Sequence, residues 1–438
     1  MSPLLITALM FGSMIFLMAF GVRITYALGI VGIVFALWLW GPAALQLPYT
    51  ATVALMRSFI LSAMIGFLFM GYLLKASGIS DDLFDTVYKW AGGLRGGLGA
   101  GTIFICALIA AMVGSSGAAT LSTGVIALPS MLKRGYDRRL AGGLVMAGGA
   151  LGFLIPPSVT MIMFAFISGA SVGRLFAGGM FPGLALATMY IIYCVTRCFF
   201  QPKLGPAIAP EERAPLKEKI IALKNIILPA SLIFIVLGFI LLGITSITEA
   251  AVAGSVGAVV CAAVHRRLTW RMITEAGFNT LRICGMTIWL IIAAVTFSKV
   301  YTGLGAPAMI RDVLGSLGIG PWGVLIIMQL SFFILGMFLD DVGILFICMP
   351  IYVPIIIDLG FDLTWFGILY IVNMQMAYLT PPYGINLFYL RAVSPPEMTM
   401  RDIYYAAIPF VGLQMLGLVI CMIFPQIVLF LPDLLFGS

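Results

Sequence analysis

Two short polar sequences, each set inside a long apolar segment, carry the chemistry this chain can do. Ser115-Ser116-Gly117 interrupts one segment and Asp340-Asp341 interrupts another. A proline pair follows each, Pro156-Pro157 and then Pro381-Pro382, 225 residues apart. Proline removes a backbone donor and clashes with the preceding turn, so each pair predicts two half-helices joined by unwound backbone. At membrane depth such backbone persists only where protein, water or ions satisfy it. Each polar tip is expected to meet the proline break of its own half. Ser115, Ser116 and Gly117 then group with Gly152, Pro156 and Ser158, and Asp340 and Asp341 group with Thr380, Gly384 and Asn386.

Hydroxyls, carboxylates, amides and freed backbone carbonyls are hard oxygen ligands. Together with the negative C-terminal ends of half-helices they suit a small cation such as Na+. Ser116, Gly152, Pro156, Asp340, Thr380 and Gly384 are the predicted Na+ ligands. Half-helix N-termini point N–H donors at an anion. Ser115, Ser116, Gly117, Ser158 and Asn386 are therefore the predicted contacts for an anionic substrate. A carboxylate at the centre of a membrane helix costs about 2.5–3.5 kcal/mol on insertion scales and is functional by default. Of the acidic pair, Asp340 is assigned to the cation. Neither 96–132 nor 312–390 contains Lys or Arg. An anion bound between them would have to be neutralised by bound Na+ and helix dipoles, which makes cation coupling a physical requirement.

Other chemistries find no support. The seven cysteines are scattered, and Cys194 and Cys198, one helical turn apart, have no accompanying Cys or His, so no transition-metal site is expected. The glycine-rich stretch Gly92 to Gly99 lacks the GK[ST] ending of a phosphate loop and reads as a hinge into the first interrupted segment. HExxH and paired catalytic constellations are missing, which argues against an enzyme and sets aside a membrane-embedded enzyme or assembly protein.

The elements that must position these residues are membrane helices. The composition is 62% hydrophobic and 9% charged, whereas soluble domains carry about 25% charged residues. Runs of roughly 20 apolar residues span the hydrocarbon as helices, and the short alternating segments of a β-barrel are absent. The chain is thus expected to be an all-α polytopic membrane protein. The net charge of +7 lies in loops and does not form a nucleic-acid surface. Leu4 to Phe20 has no cationic stretch before it and no small-residue cleavage site, and is expected to be a first membrane helix, not a signal peptide.

The apolar spans fall at about 3–20, 24–44, 51–75, 97–132, 139–169 and 172–197, then 225–243, 247–264, 283–302, 320–357, 363–391 and 404–431. Segments 97–132 and 320–357 could each cross twice or form a re-entrant hairpin. Charge decides between these. With both as hairpins there are about ten crossings, and with the N-terminus outside, 20 of the 24 Lys and Arg residues lie in the cytoplasm. Only Arg174, Lys299 and Arg311 fall outside, with Arg57 inside a span. This obeys the positive-inside rule, which two crossings at either segment would break. Both termini are then periplasmic.

At the constant 225-residue offset, Gly29 matches Gly254, Pro129 matches Pro354, Gly135 matches Gly360, Asp137 matches Asp362, and the two proline pairs coincide. Five crossings per half is odd, so the halves would be inverted repeats. They are 1–200, with hairpin 97–132 and broken helix 139–169, and 225–438, with hairpin 320–357 and broken helix 363–391. A polar cytoplasmic linker, 201–224, joins them. Ser80 to Arg95, where Asp85 and Lys89 can pair at i,i+4, reads as an amphipathic helix on the cytoplasmic surface, and His265 to Ala276 as a second interfacial stretch.

These residues resemble a known family. Pro129-x5-Gly135-Tyr136-Asp137, Gly148-Gly149-x-Leu151-Gly152-x-Leu154-Ile155-Pro156-Pro157-Ser158, Gly336-Met337-Phe338-Leu339-Asp340 and Thr380-Pro381-Pro382-x-Gly384-x-Asn386-Leu387-Phe388 are similar to the large membrane subunit of tripartite ATP-independent periplasmic (TRAP) transporters, essentially end to end. The resemblance implies an elevator transporter with two opposed hairpins in a bacterial inner membrane, coupled to Na+ and with no covalent cofactor. It further implies import of organic acids, carboxylates or sulfonates, delivered by a soluble periplasmic binding protein, and pairing with a small four-helix membrane subunit. Asp341 departs from the family pattern, where a small or hydroxyl residue follows Asp340. A stand-alone divalent-anion/Na+ symporter shares the inverted-hairpin plan and is the alternative.

Overall fold

The computed structural model describes residues 3–91, 93–207, 213–305 and 318–437. Gly92, residues 208–212 of the expected linker and Arg311 lie outside them. Among the described residues every regular element is helical. The first half contains α1 (Pro3–Ala19), α2 (Ile24–Trp40), α3 (Gln46–Met56), α4 (Phe59–Ala76), α5 (Ile79–Ala91), α6 (Gly97–Val113), α7 (Ser116–Lys133), α8 (Arg138–Ala150), α9 (Val159–Ser168) and α10 (Val172–Phe200). The second contains α11 (Leu216–Leu241), α12 (Ile247–Val264), α13 (Trp270–Gly303), α14 (Pro321–Gly336), α15 (Asp341–Asp358), α16 (Leu363–Ala377), α17 (Ile385–Val393), α18 (Met400–Ile423) and α19 (Gln426–Phe436).

Six described helices, α4, α10, α12, α13, α15 and α18, are individually long and apolar enough to cross a membrane, and α11 makes a seventh if its two segments count as one span. The interrupted segments behave as their sequences require. Gly114 and Ser115 separate α6 from α7, and residues 337–340 separate α14 from α15. The proline breaks separate α8 from α9 and α16 from α17, and Pro156–Pro157 and Pro381–Pro382 are both cis.

The shared Gly and Asp of the repeat have one local explanation. Gly135 and Gly360 adopt left-handed φ of 77° and 76° just after α7 and α15, a conformation that glycine enters without a Cβ penalty and that commonly ends helices. Two residues on, Asp137 accepts from the backbone N–H groups of Arg139 and Leu140 to start α8, and Asp362 accepts from Trp365 N at 2.8 Å to start α16. Each Gly-x-Asp therefore stops a hairpin arm and starts a broken helix.

Three expectations are corrected. The run 51–75 is divided at Arg57-Ser58 into α3 and α4. The run 404–431 is divided at Pro425, which cannot donate to a continuing helix, into α18 and α19. Of the interfacial stretch His265 to Ala276, the residues from Trp270 onward are the start of α13, a 34-residue helix. At 1.5 Å per residue α13 is about 50 Å long, longer than the roughly 30 Å hydrocarbon core, so Arg271 and Glu275 can lie beyond the membrane on the same helix.

Packing follows the same offset. α4 packs on α12, and α2 on α13. Small residues allow these close crossings: a Cβ on Gly66 would lie 2.8 Å from Ala251 Cβ, and one on Gly32 would lie 3.1 Å from Phe297 N. The hairpin arms reach across the halves, α7 against α17 and α15 against α9. α5 lies along α11: Thr86 Oγ1 donates to Ala222 O at 2.9 Å and Trp90 Nε1 to Lys219 O at 3.0 Å. Lys89 pairs with Asp85 at 2.6 Å, and Arg267 pairs with Asp82 at 2.8 Å. All seven cysteines are buried.

Candidate functional site

The first tip is built on a glycine that no other residue replaces without displacement. Gly114 ends α6 with φ 63°, and a Cβ there would lie 2.5 Å from the Pro157 carbonyl oxygen. This close approach lets Val159 N, at the start of α9, donate to Gly114 O at 3.2 Å. A Cβ on Gly152 would likewise sit 3.0 Å from the Ser115 carbonyl. The first tip thus meets the break of its own half, as expected.

The second tip does the same through different groups. Tyr383 N donates to Met337 O at 3.1 Å. Tyr378, one residue before Leu379 in the second break, donates its hydroxyl to Asp341 Oδ1 at 2.6 Å.

The tips are also bonded to the opposite halves, which the sequence does not reveal. Asn386 Nδ2, on α17, donates to Ser116 Oγ at 2.8 Å. Thr160 Oγ1, on α9, donates to Asp341 Oδ2 at 2.7 Å. Ser116 and Asp341 are equivalent at the 225-residue offset, so each half lends the second residue of its tip to the other half's broken helix.

The acidic pair divides its work. Asp340 is the N-cap of α15 and accepts from Gly343 N at 3.2 Å. Asp341 is buried, at 6% exposure, and its carboxylate takes one hydroxyl from each half. Its backbone carbonyl accepts from the Tyr370 hydroxyl. Two carboxylates at a helix N-terminus are favoured by the dipole, and each oxygen of Asp341 keeps a lone pair beyond the hydroxyl it already accepts from.

Between these tips and α1, α2, α4 and α13 lies a cavity of about 750 Å³. Ser115, Ser116, Gly117, Asp340 and Asp341 line it. Ser115 is the N-cap of α7 but makes no side-chain capping bond, so its hydroxyl is available to a ligand. The Tyr389 ring covers Gly117 and forms part of the wall. Asn386 sits behind Ser116, buried.

The other sequence-derived residues lie outside the wall. Ser158 donates to Phe153 O at 2.6 Å and accepts from Met161 N at 3.4 Å, so its hydroxyl caps α9. Thr380 bonds back to Met376 O at 2.8 Å. Gly152, Pro156 and Gly384 shape the breaks from behind, and a Cβ on Gly384 would lie 2.9 Å from Thr380 O.

Asp341, Thr160 and Tyr378 were not among the assigned ligands. The repeat offered a signal for the first, since it maps Ser116 onto Asp341 and Ser115 onto Asp340. Arg23 was also missed. It is the one Lys or Arg among the described residues lining the cavity, exposed at the N-cap of α2. Its distance in sequence from both tips concealed it.

A family model described as tripartite ATP-independent periplasmic transporter, DctM component, matches residues 11–427. The chain is 32% identical to the C4-dicarboxylate TRAP transporter large permease protein of Vibrio cholerae, covering 98% of each. It is also 32% identical to the ectoine TRAP transporter large permease protein of Halomonas elongata, covering 82% of each. In fold it is similar to the YdaH transporter of Alcanivorax borkumensis, with a TM-score of 0.63 and 17% identity over 88% of this chain and 90% of that one.

Proposed function

The chain belongs to the DctM-component family of tripartite ATP-independent periplasmic transporters, and on that premise we propose that it is the substrate-translocating subunit of a Na+-coupled importer of small organic acids. The family is one of membrane transporters, not enzymes. The observation that carries the reading is Asp341. A buried carboxylate held by one hydroxyl from each half, at the wall of a 750 Å³ cavity, offers a negative site that a small cation neutralises.

Na+ would be held as co-substrate by oxygens of Ser116, Asp340 and Asp341, assisted by the backbone around Gly152, Pro156, Thr380 and Gly384. The organic acid, a carboxylate or sulfonate, would lie between the N-terminus of α7, with the Ser115 hydroxyl, and the Arg23 guanidinium. Helix N-termini and Arg suit such anions for the same reason, convergent N–H donors. Bound Na+ lowers the cost of bringing the anion toward two carboxylates, and this couples the two fluxes.

Alternating access would follow from the division of the fold. The hairpins and broken helices, α6–α9 and α14–α17, form the moving body, and α1–α4 with α11–α13 form the scaffold, in an elevator motion. The matched packing of α4 on α12 and α2 on α13 supports reading 1–200 and 225–438 as inverted repeats with ten crossings and two re-entrant hairpins. By the positive-inside rule both termini would be periplasmic and Arg23 would lie on the cytoplasmic side, so the cavity would open inward. The remaining partners would be a small four-helix membrane subunit and a periplasmic binding protein, in a bacterial inner membrane.

Proteoliposomes containing this chain and the small subunit test the assignment. Uptake is expected only when the cognate binding protein is added, and Arg23→Gln should raise the substrate concentration for half-maximal uptake roughly tenfold, as for loss of one charge-assisted hydrogen bond. Equal uptake by the chain alone would favour the stand-alone symporter.

A further inference from the structure

A second cavity, of about 880 Å³, lies between α1, the C-terminal end of α13, and both arms of the second interrupted segment, α14 and α15. Its wall is almost entirely aliphatic and aromatic, with Phe11, Met14, Met328 and Ile347 among its residues. The Tyr352 hydroxyl in that wall is already bonded to Ser331 at 2.8 Å. Thr7 Oγ1 is different: it is buried at one end of the cavity and has no partner among the described residues. Two wall residues that do not line the site cavity, Ile15 and Ile327, are 62% and 43% exposed, so the cavity communicates with the bilayer-facing surface.

Water does not suit this space. A buried water needs two to four polar partners, and one hydroxyl is offered. An empty space forfeits the dispersion contacts of its whole lining. Length identifies the occupant. From Thr7 to Met18 along α1 is about 16 Å at 1.5 Å per residue, close to half of the roughly 30 Å hydrocarbon core. The core is two acyl chains thick, so this is about the length of one chain.

We propose that this cavity holds one acyl chain of a bilayer phospholipid, with an ester carbonyl accepting from Thr7 Oγ1 and the chain end against Met18. Met18, Phe338 and Leu339 line both this cavity and the site cavity, so they are the partition between the two. The acyl chain backs that partition and keeps the hairpin tip dry on its membrane side. The proposal does not depend on which solute is transported.

Full-length protein in nanodiscs doped with a phospholipid carrying a diazirine at the end of one acyl chain tests it. After photolysis, adducts are expected on Met14, Met18 and Leu339. Met14→Trp, which fills the cavity, should lose them, whereas Leu9→Trp, on the exposed face of α1 outside the cavity, should keep them. Adducts confined to bilayer-facing side chains such as Phe16 and Ile30 in the wild-type protein would overturn the proposal, whether or not the Met14 variant folds. So would wild-type adduct yield on Met18 and Leu339 in folded Met14→Trp protein.

Discussion

Asp341→Asn is expected to abolish Na+-driven uptake while leaving the chain assembled in the membrane. The amide keeps the shape of the side chain and can still accept a hydroxyl, so α9 and the second break remain in contact with the tip. What is lost is the charge. Hydrogen bonds to a charged group contribute about 1.5–3 kcal/mol each, so losing the charge that Thr160 and Tyr378 address should weaken the site roughly ten- to hundredfold. Loss of the Na+ ion's own counter-charge adds to that. Initial uptake rates against Na+ concentration give the measurement. Asp340→Asn is the comparison variant: Asn is about as good an N-cap as Asp and the Gly343 N–H stays satisfied, so the fold is kept and Na+ dependence is expected to weaken less than in Asp341→Asn. If Asp341→Asn were to keep wild-type Na+ dependence while Asp340→Asn lost it, the cation would belong to Asp340.

Gly114→Ala is the second large effect, and it acts through backbone. An L-residue in the left-handed region costs about 1–2 kcal/mol. The added methyl would also meet the Pro157 carbonyl oxygen at 2.5 Å, a backbone atom inside the break with little freedom to withdraw. The first tip would have to separate from the broken helix, losing the bond from Val159 N to Gly114 O. Uptake is expected to fall at least about tenfold, the equivalent of 1.4 kcal/mol, with a lower thermal midpoint for the purified protein. Gly412→Ala, whose added Cβ would have nothing within 4 Å, should change neither. Equal behaviour of the two variants would show that tip and break need not touch.

Much of this architecture was legible because prolines, glycines and charges act locally. Pro156-Pro157 and Pro381-Pro382 break helices wherever they fall, and the hairpin limits followed from Gly114 and Asp340. Even Gly135-Tyr136-Asp137 had a local meaning, as a helix stop and a helix start. What stayed hidden depends on crossings in space. Nothing near Thr160 or Asn386 in sequence announces that each would bond the tip of the other half. The different surroundings of Asp340 and Asp341 were hidden for a finer reason: the Asp340 side chain caps its own helix at Gly343 N, whereas the Asp341 carboxylate reaches Thr160 and Tyr378 across space. Helix lengths beyond the hydrocarbon were equally hidden, since the charges at Arg271 and Arg282 suggested a boundary that α13 runs through.

The central claim is that tips and breaks from both halves form one site in which Na+ and an organic acid are bound together. Uptake of the binding-protein-delivered acid into proteoliposomes, measured with an inward Na+ gradient and again with choline replacing Na+, tests it most directly. The account predicts accumulation with Na+ and none with choline. Full accumulation in choline would contradict it.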